Sequence, residues 1–171
     1  MMGKVLLLSL ATLLLTGCVS SYKIKENSSV SLLRVVDREV GFKHGLLVTA
    51  CVEKREYKCP EIGYMSALGK TKTELNMPKI EPMPEDSYFE VKVMAGIKHY
   101  FTFTGKYSSL YEGAAATGSA CLLYPEIKFE DNRIYEIEYI TAKGGCFIEV
   151  NEIIAKGSTF SKKKVPYSLT N

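Results

Sequence analysis

Apolar and polar residues alternate along much of this chain with the two-residue period of β-strands. Phe89, Val91 and Val93 face one way, with Glu90 and Lys92 the other. Tyr135, Ile137 and Tyr139 alternate in the same manner with Glu136 and Glu138. Two further runs, Val30 to Val36 and Gly45 to Val52, are apolar and branched. His99 to Thr104 is aromatic and β-branched throughout, as strands prefer. Segments 120–124 and 127–129 flank Pro125, which predicts an edge strand or a bend. Lys143-Gly144-Gly145 is a glycine-type hairpin turn, leading into a last strand from Cys146 to Ile153 with Cys146, Ile148 and Val150 inward.

Two stretches break this pattern. Residues 60–87 hold Pro60, Gly63, Gly69, Pro78, Pro82 and Pro84 without a steady apolar period. They predict a long connection with one helical turn near Met65 to Leu68, and long connections in compact domains are often functional. Residues 112–119 (EGAAATGS) are small and glycine-rich, predicting a loose loop. About seven short strands with almost no helical periodicity predict an all-β fold, an antiparallel, immunoglobulin-like β-sandwich. The stretch from Phe129 to Ile137 resembles the tyrosine corner of immunoglobulin-like domains. There a tyrosine, here Tyr135, opens the penultimate strand and bonds back upstream. A plain core tyrosine on an alternating strand fits as well, and both readings point Tyr135 inward.

The N-terminus differs in kind. Lys4 precedes an apolar run from Val5 to Leu15, too short to span a bilayer, and small residues then lead to a cysteine. Leu15-Thr16-Gly17-Cys18 resembles the lipobox of bacterial lipoproteins. The resemblance implies that residues 1–17 are a signal peptide and that Cys18 becomes the lipid-modified N-terminus of an exported, membrane-tethered protein. Two or three acyl chains hold such a protein stably, where one does so only marginally. Val19 follows the cysteine, so no aspartate signals inner-membrane retention. By resemblance to enterobacterial sorting, the expected location is the periplasmic face of the outer membrane. Residues 18–29, polar after the cysteine, read as the lipidated tether, and 30–171 as a single sandwich domain.

Without residues 1–17, 154 of the 171 residues remain, enough for one domain. The formal charge is +3, or +2 once Lys4 is lost, which gives no electrostatic case for nucleic acid. The single basic run, Lys162-Lys163-Lys164, reads as a solvated C-terminal tail rather than a lipid-phosphate contact. After Cys18, four cysteines remain: Cys51, Cys59, Cys121 and Cys146. An even number in an exported chain predicts two disulfides and an oxidising Gram-negative periplasm. Of the three possible connectivities, Cys51–Cys59 with Cys121–Cys146 closes short loops between neighbouring segments and is the expected one. No Cys-x-x-Cys spacing or nearby histidine supports a metal site, and no cofactor motif is present.

Catalytic chemistry has little to stand on. The two histidines, His44 and His99, and the three aspartates, Asp37, Asp86 and Asp131, lie in separate segments without motifs. The spacing of Gly63, Ser66 and Gly69 is not that of a nucleophile elbow. Glu136 and Glu138 share one strand face; paired carboxylates can act on glycans, but solvated outward charge is the expected reading. His99, between Lys98 and Tyr100, reads as a surface or strand-end histidine. Tyr57, Tyr64, Tyr107 and Tyr111 fall in loop-like segments and read as tyrosines capping the core. The chain is therefore expected not to be an enzyme.

Met77-Pro78, Ala95-Gly96-Ile97 before the aromatic strand, a glycine-containing loop before Cys121, Tyr135-Glu-Ile and Gly145-Cys146 occur in an order with a known counterpart. Over residues 75–151 this order resembles a group of small, uncharacterised proteobacterial periplasmic lipoproteins. The resemblance implies a β-sandwich and a Cys121–Cys146 pair, and it brings no activity. The expected function is a non-catalytic envelope lipoprotein, a binding or assembly accessory whose partners are the membrane and another envelope protein. An inhibitor or immunity protein, which inserts a loop (60–87 or 112–119) into a lysozyme-like or toxin hydrolase, is the alternative. A glycan hydrolase ranks third.

Overall fold

The computed structural model describes residues 22–38, 44–54, 56, 58–66, 69–71, 74–83, 87–111, 114–142 and 145–170. The apolar run 5–15, Cys18, Tyr57, Asp86 and the turn residues Lys143 and Gly144 lie outside them. In chain order the strands are β1 (Val30–Asp37), β2 (His44–Val52), β3 (Glu61–Ser66), β4 (Gly69–Lys70), β5 (Tyr88–Met94) and β6 (Lys98–Tyr111). They continue with β7 (Ala114–Leu123), β8 (Pro125–Lys128), β9 (Ile134–Ala142), β10 (Gly145–Lys156), β11 (Thr159–Lys164) and β12 (Ser168–Leu169).

Two sheets form. One has the order β11-β10-β9-β1-β5, and the other runs β12-β8-β6-β2-β3-β4 with β7 also on β6. All pairings are antiparallel except β1 with β9, which is parallel. The inward positions of the alternating strands meet between the sheets: Leu33 and Val35 of β1, Phe89 and Val93 of β5, and Ile137 and Tyr139 of β9. Opposite them lie Leu46 and Val48 of β2 and Phe101 and Phe103 of β6. Phe101 meets Phe129 edge-on at 5.9 Å, and Phe103 stacks on Tyr139 at 6.3 Å. A Cβ at Gly63 would overlap the Phe89 ring, and one at Gly105 the Tyr139 hydroxyl. These two glycines let aromatic rings of the facing sheet lie directly on backbone.

Both disulfides form as expected, Cys51–Cys59 and Cys121–Cys146. The second joins β7 of one sheet to β10 of the other. Tyr135 opens β9 as a tyrosine corner: the Glu130 backbone N–H donates to its hydroxyl at 3.0 Å. Tyr124 separates β7 from β8, which Pro125 opens, and both strands use the same edge of β6.

The strands outnumber the expected seven because small or polar segments are recruited by pairing. Residues 61–66 form β3 against β2, so Met65 and Ser66 are strand where a helical turn was expected. Ile62 is the extra residue of a bulge there, since Val48 pairs with Gly63 and Thr49 with Glu61. Residues 114–119, read as loose loop, belong to β7 and pair along β6 from Lys106 to Tyr111. The 162–164 run lies in β11 on β10 rather than in a tail. Tyr64, Tyr107 and Tyr111 sit on strands, not in loops.

Candidate functional site

Arg34 stands in the middle of an apolar strand, between Leu33 and Val35, yet is completely buried. Leu33 and Val35 point to the core, so Arg34 points to the other face of its sheet. Glu90 of β5 and Glu136 of β9 are its direct cross-strand partners in register. The guanidinium has five N–H donors, and all five are used. Nε and Nη2 donate to Glu90 Oε1 at 3.0 and 2.7 Å, and Nη1 donates to Glu136 Oε2 at 3.1 Å. The remaining two go to the carbonyls of Met77 and Pro78, at 2.7 and 2.9 Å.

Those carbonyls belong to residues 74–83, which cross this face as a strap between β4 and β5. Glu90 fixes the strap from below, because its Oε2 accepts the backbone N–H groups of Leu75 and Met77. Further along, Glu81 pairs with Arg38 at 3.2 Å and with Lys162 at 2.8 Å. Lys162 Nζ also reaches Glu136 at 2.8 Å and Glu138, and Arg38 Nε meets Glu138 at 2.6 Å. Tyr88 lies under the same strap, with the Lys70 and Lys79 ammonium groups each 4.8 Å from its ring centroid. One continuous charge network thus runs from β5 to β11 and ties the strap to the sheet.

Glu136 and Glu138 are therefore not solvated outward charges. The strand parity read from the sequence is right, but the strap covers the face, leaving Glu136 1% and Glu138 6% exposed. Hydrogen bonds from Arg38 and Lys162 outweigh the burial that would raise Glu138, so its carboxyl stays below the usual carboxylate range. Glu81 is likewise lowered, first by its bond to Lys162. Although burial opposes it, the three carboxylates push the Lys162 ammonium far above its ordinary value. Groups held this firmly in their charged forms bind and orient; they are poor proton shuttles at neutral pH. Among the described residues no cluster of three or more His, Cys, Asp or Glu is placed to hold a metal ion.

The chain matches no protein-family model, and no curated protein is significantly similar to it.

A second polar cluster lies at the end of the sandwich where the described chain begins. His99, expected at the surface, is wholly buried between Phe101 at 5.8 Å and Phe129 at 5.2 Å. Tyr22, in the stretch read as tether, packs against the core. Its oxygen accepts the Met94 N–H at 3.1 Å and lies 2.8 Å from His99 Nε2. In a neutral imidazole one ring nitrogen accepts and the other carries the proton, so an Nε2 that accepts the Tyr22 O–H leaves the proton on Nδ1. Nδ1 is buried without a well-formed hydrogen bond, and burial outweighs the pull of the Ile97 backbone toward the charged form. Beside Tyr22 a cavity of about 150 Å³ is lined by Lys23, Ala50, Cys51, Val52, Glu56 and Pro60. An aromatic neighbourhood for His99 is the one sign of this cluster along the chain.

Burial pulls His99 from 6.5 down to about 4. The unfolded chain therefore takes up a proton near 6.5 that the folded one refuses until about 4. This contribution to stability is present above pH 6.5 and is lost as pH falls toward 4, by about 3 kcal/mol in total. Urea denaturation at pH 7 and 4.5 measures it. His99→Phe is expected to flatten this slope; an unchanged slope would place the acid sensitivity elsewhere.

Proposed function

We propose that this chain is a non-catalytic envelope lipoprotein, a binding or assembly accessory held by lipid on Cys18 at the periplasmic face of a Gram-negative outer membrane. The observation that carries the reading is Leu15-Thr16-Gly17-Cys18 directly after a short apolar run. The two disulfides support it, since such bonds persist in an oxidising compartment. The non-catalytic part is supported by the use of Glu136 and Glu138 as ion-pair partners of Arg34, Lys162 and Arg38. Another envelope protein is the partner this reading implies.

The inhibitor or immunity reading is favoured by one observation. Strand β6 outruns β2: Tyr107 is the last residue paired with it, and Ser108 to Tyr111 pair with β7 alone among the described residues. A two-stranded extension of this kind suits an inserting loop better than the strap, which lies along its sheet and is bonded to it.

The test is in-cell cross-linking of the tagged protein, with Cys18→Ala alongside. The wild type is expected in the detergent phase and cross-linked to a stoichiometric envelope protein, and Cys18→Ala in the soluble fraction. Detergent partitioning that survives Cys18→Ala removes the anchor reading. Capture of a hydrolase in place of an envelope component selects the inhibitor reading.

A further inference from the structure

The residues after the anchor are bound to the fold almost at once. Tyr22 is only four positions beyond Cys18 and is already pinned by Met94 and His99. Three residues later Lys25 accepts the Ser28 N–H on its carbonyl and pairs with Glu53 at 3.5 Å. Four residues span at most about 14 Å even when fully extended. Whatever is attached to Cys18 is thus confined to one end of the sandwich.

That end carries the close of β2 with the Cys51–Cys59 loop, the 95–97 turn and the 130–133 turn. Ala95 N–H donates to Ser29, Gly96 N–H to Phe129 and Asn132 N–H to Val30, which ties these turns into one surface. Exposed bases, among them Lys25, Lys54, Lys98 and Arg133, are mixed there with the exposed acids Glu26, Glu53, Glu130 and Asp131. With both signs present, the tether's position and not net charge brings the surface to lipid. The far end lies along the strands. Phe147 pairs with Ile140, six residues up β9 from Ile134, or about 20 Å at the usual strand rise.

We infer that the docked segment from Tyr22 is a latch that turns the end bearing the Cys51–Cys59 loop toward the bilayer. The partner of this surface is a lipid headgroup layer. The opposite end, where Tyr111 of β6 pairs with Ala114 of β7, is left to face away. This inference rests on the proposed lipidation of Cys18. It differs from a plain polar tether, which would leave the sandwich free to present any face.

The chain contains no tryptophan, so a single introduced indole reports its own position. Lys128→Trp places one at the latched end and Phe147→Trp one at the far end, both at exposed sites. The mature chain is made with Cys18 as its one free thiol and coupled to a maleimide-headgroup lipid. It is then placed in phosphatidylcholine vesicles that contain a nitroxide-headgroup phosphatidylcholine. Lys128→Trp is expected to lose most of its emission and Phe147→Trp to keep it. Adding Tyr22→Ala, which frees the segment, is expected to restore emission at position 128. Equal quenching at the two sites, or quenching at 128 that survives Tyr22→Ala, overturns the latch. The chemical coupling keeps this outcome separate from natural lipidation, which the mass of the Cys18 peptide from cells decides by itself.

Discussion

Arg34→Met is expected to destabilise the protein by about 3–5 kcal/mol, a large share of the 5–15 kcal/mol that holds an ordinary domain folded. The physical reason is not that the ion pairs are strong. Taking Arg34, Glu90 and Glu136 out of water is itself unfavourable, and their mutual attraction does little more than offset it. What makes the substitution severe is the remainder: two buried carboxylates facing each other across β1, and two strap carbonyls without donors. The strap is expected to lift, exposing Tyr88, Met77 and Val36. Urea denaturation followed by circular dichroism measures the loss. The combined Arg34→Met, Glu90→Gln, Glu136→Gln variant removes the stranded charges and is expected to recover part of it. A loss below about 1 kcal/mol in Arg34→Met, as for an exposed pair, would show that the network contributes nothing to holding the strap.

Removing Cys121–Cys146 by a double alanine substitution is expected to lower stability by about 3.5 kcal/mol, against about 2.5 kcal/mol for Cys51–Cys59. The order follows from the loops released: the bridges close separations of 25 and 8 residues. Location adds to the difference. Cys121–Cys146 crosses between the sheets and restrains β7, which among the described residues pairs with β6 alone in its sheet. Denaturation midpoints of the two double variants decide the matter, and the reverse order would mean that loop length does not govern their effect.

Much of the sheet structure is legible in the sequence. Strands β1, β2, β5, β9 and β10 carry alternation or branched runs that fit a half-buried pleated surface, and each formed where expected. The cysteine pairing followed from short separations between neighbouring segments. The tyrosine corner was legible because its parts lie within seven residues, from Phe129 to Tyr135. Segments whose order comes from a neighbour were harder. Ala114 to Ser119 has little β propensity of its own and becomes a strand because β6 extends beside it. Lys162 sat in what read as a charged tail, and its partners are 81, 24 and 26 positions away.

The candidate site shows the division most clearly. The sequence alone determined that Glu90, Glu136 and Glu138 leave the core face, since side chains alternate along a strand whatever lies outside it. It also holds one further sign, an arginine between Leu33 and Val35 in an apolar strand, which has no reason to be there without buried acceptors. Whether that outer face meets water or protein was decided by the tertiary structure. Residues 74–83 cover it, through bonds joining positions 34, 77, 78, 90 and 136. His99 follows the same rule: Tyr22 reaches it across 77 positions and closes it off from solvent. Period and propensity are local properties of the chain, whereas burial of a strand's second face depends on which distant segment comes to lie over it.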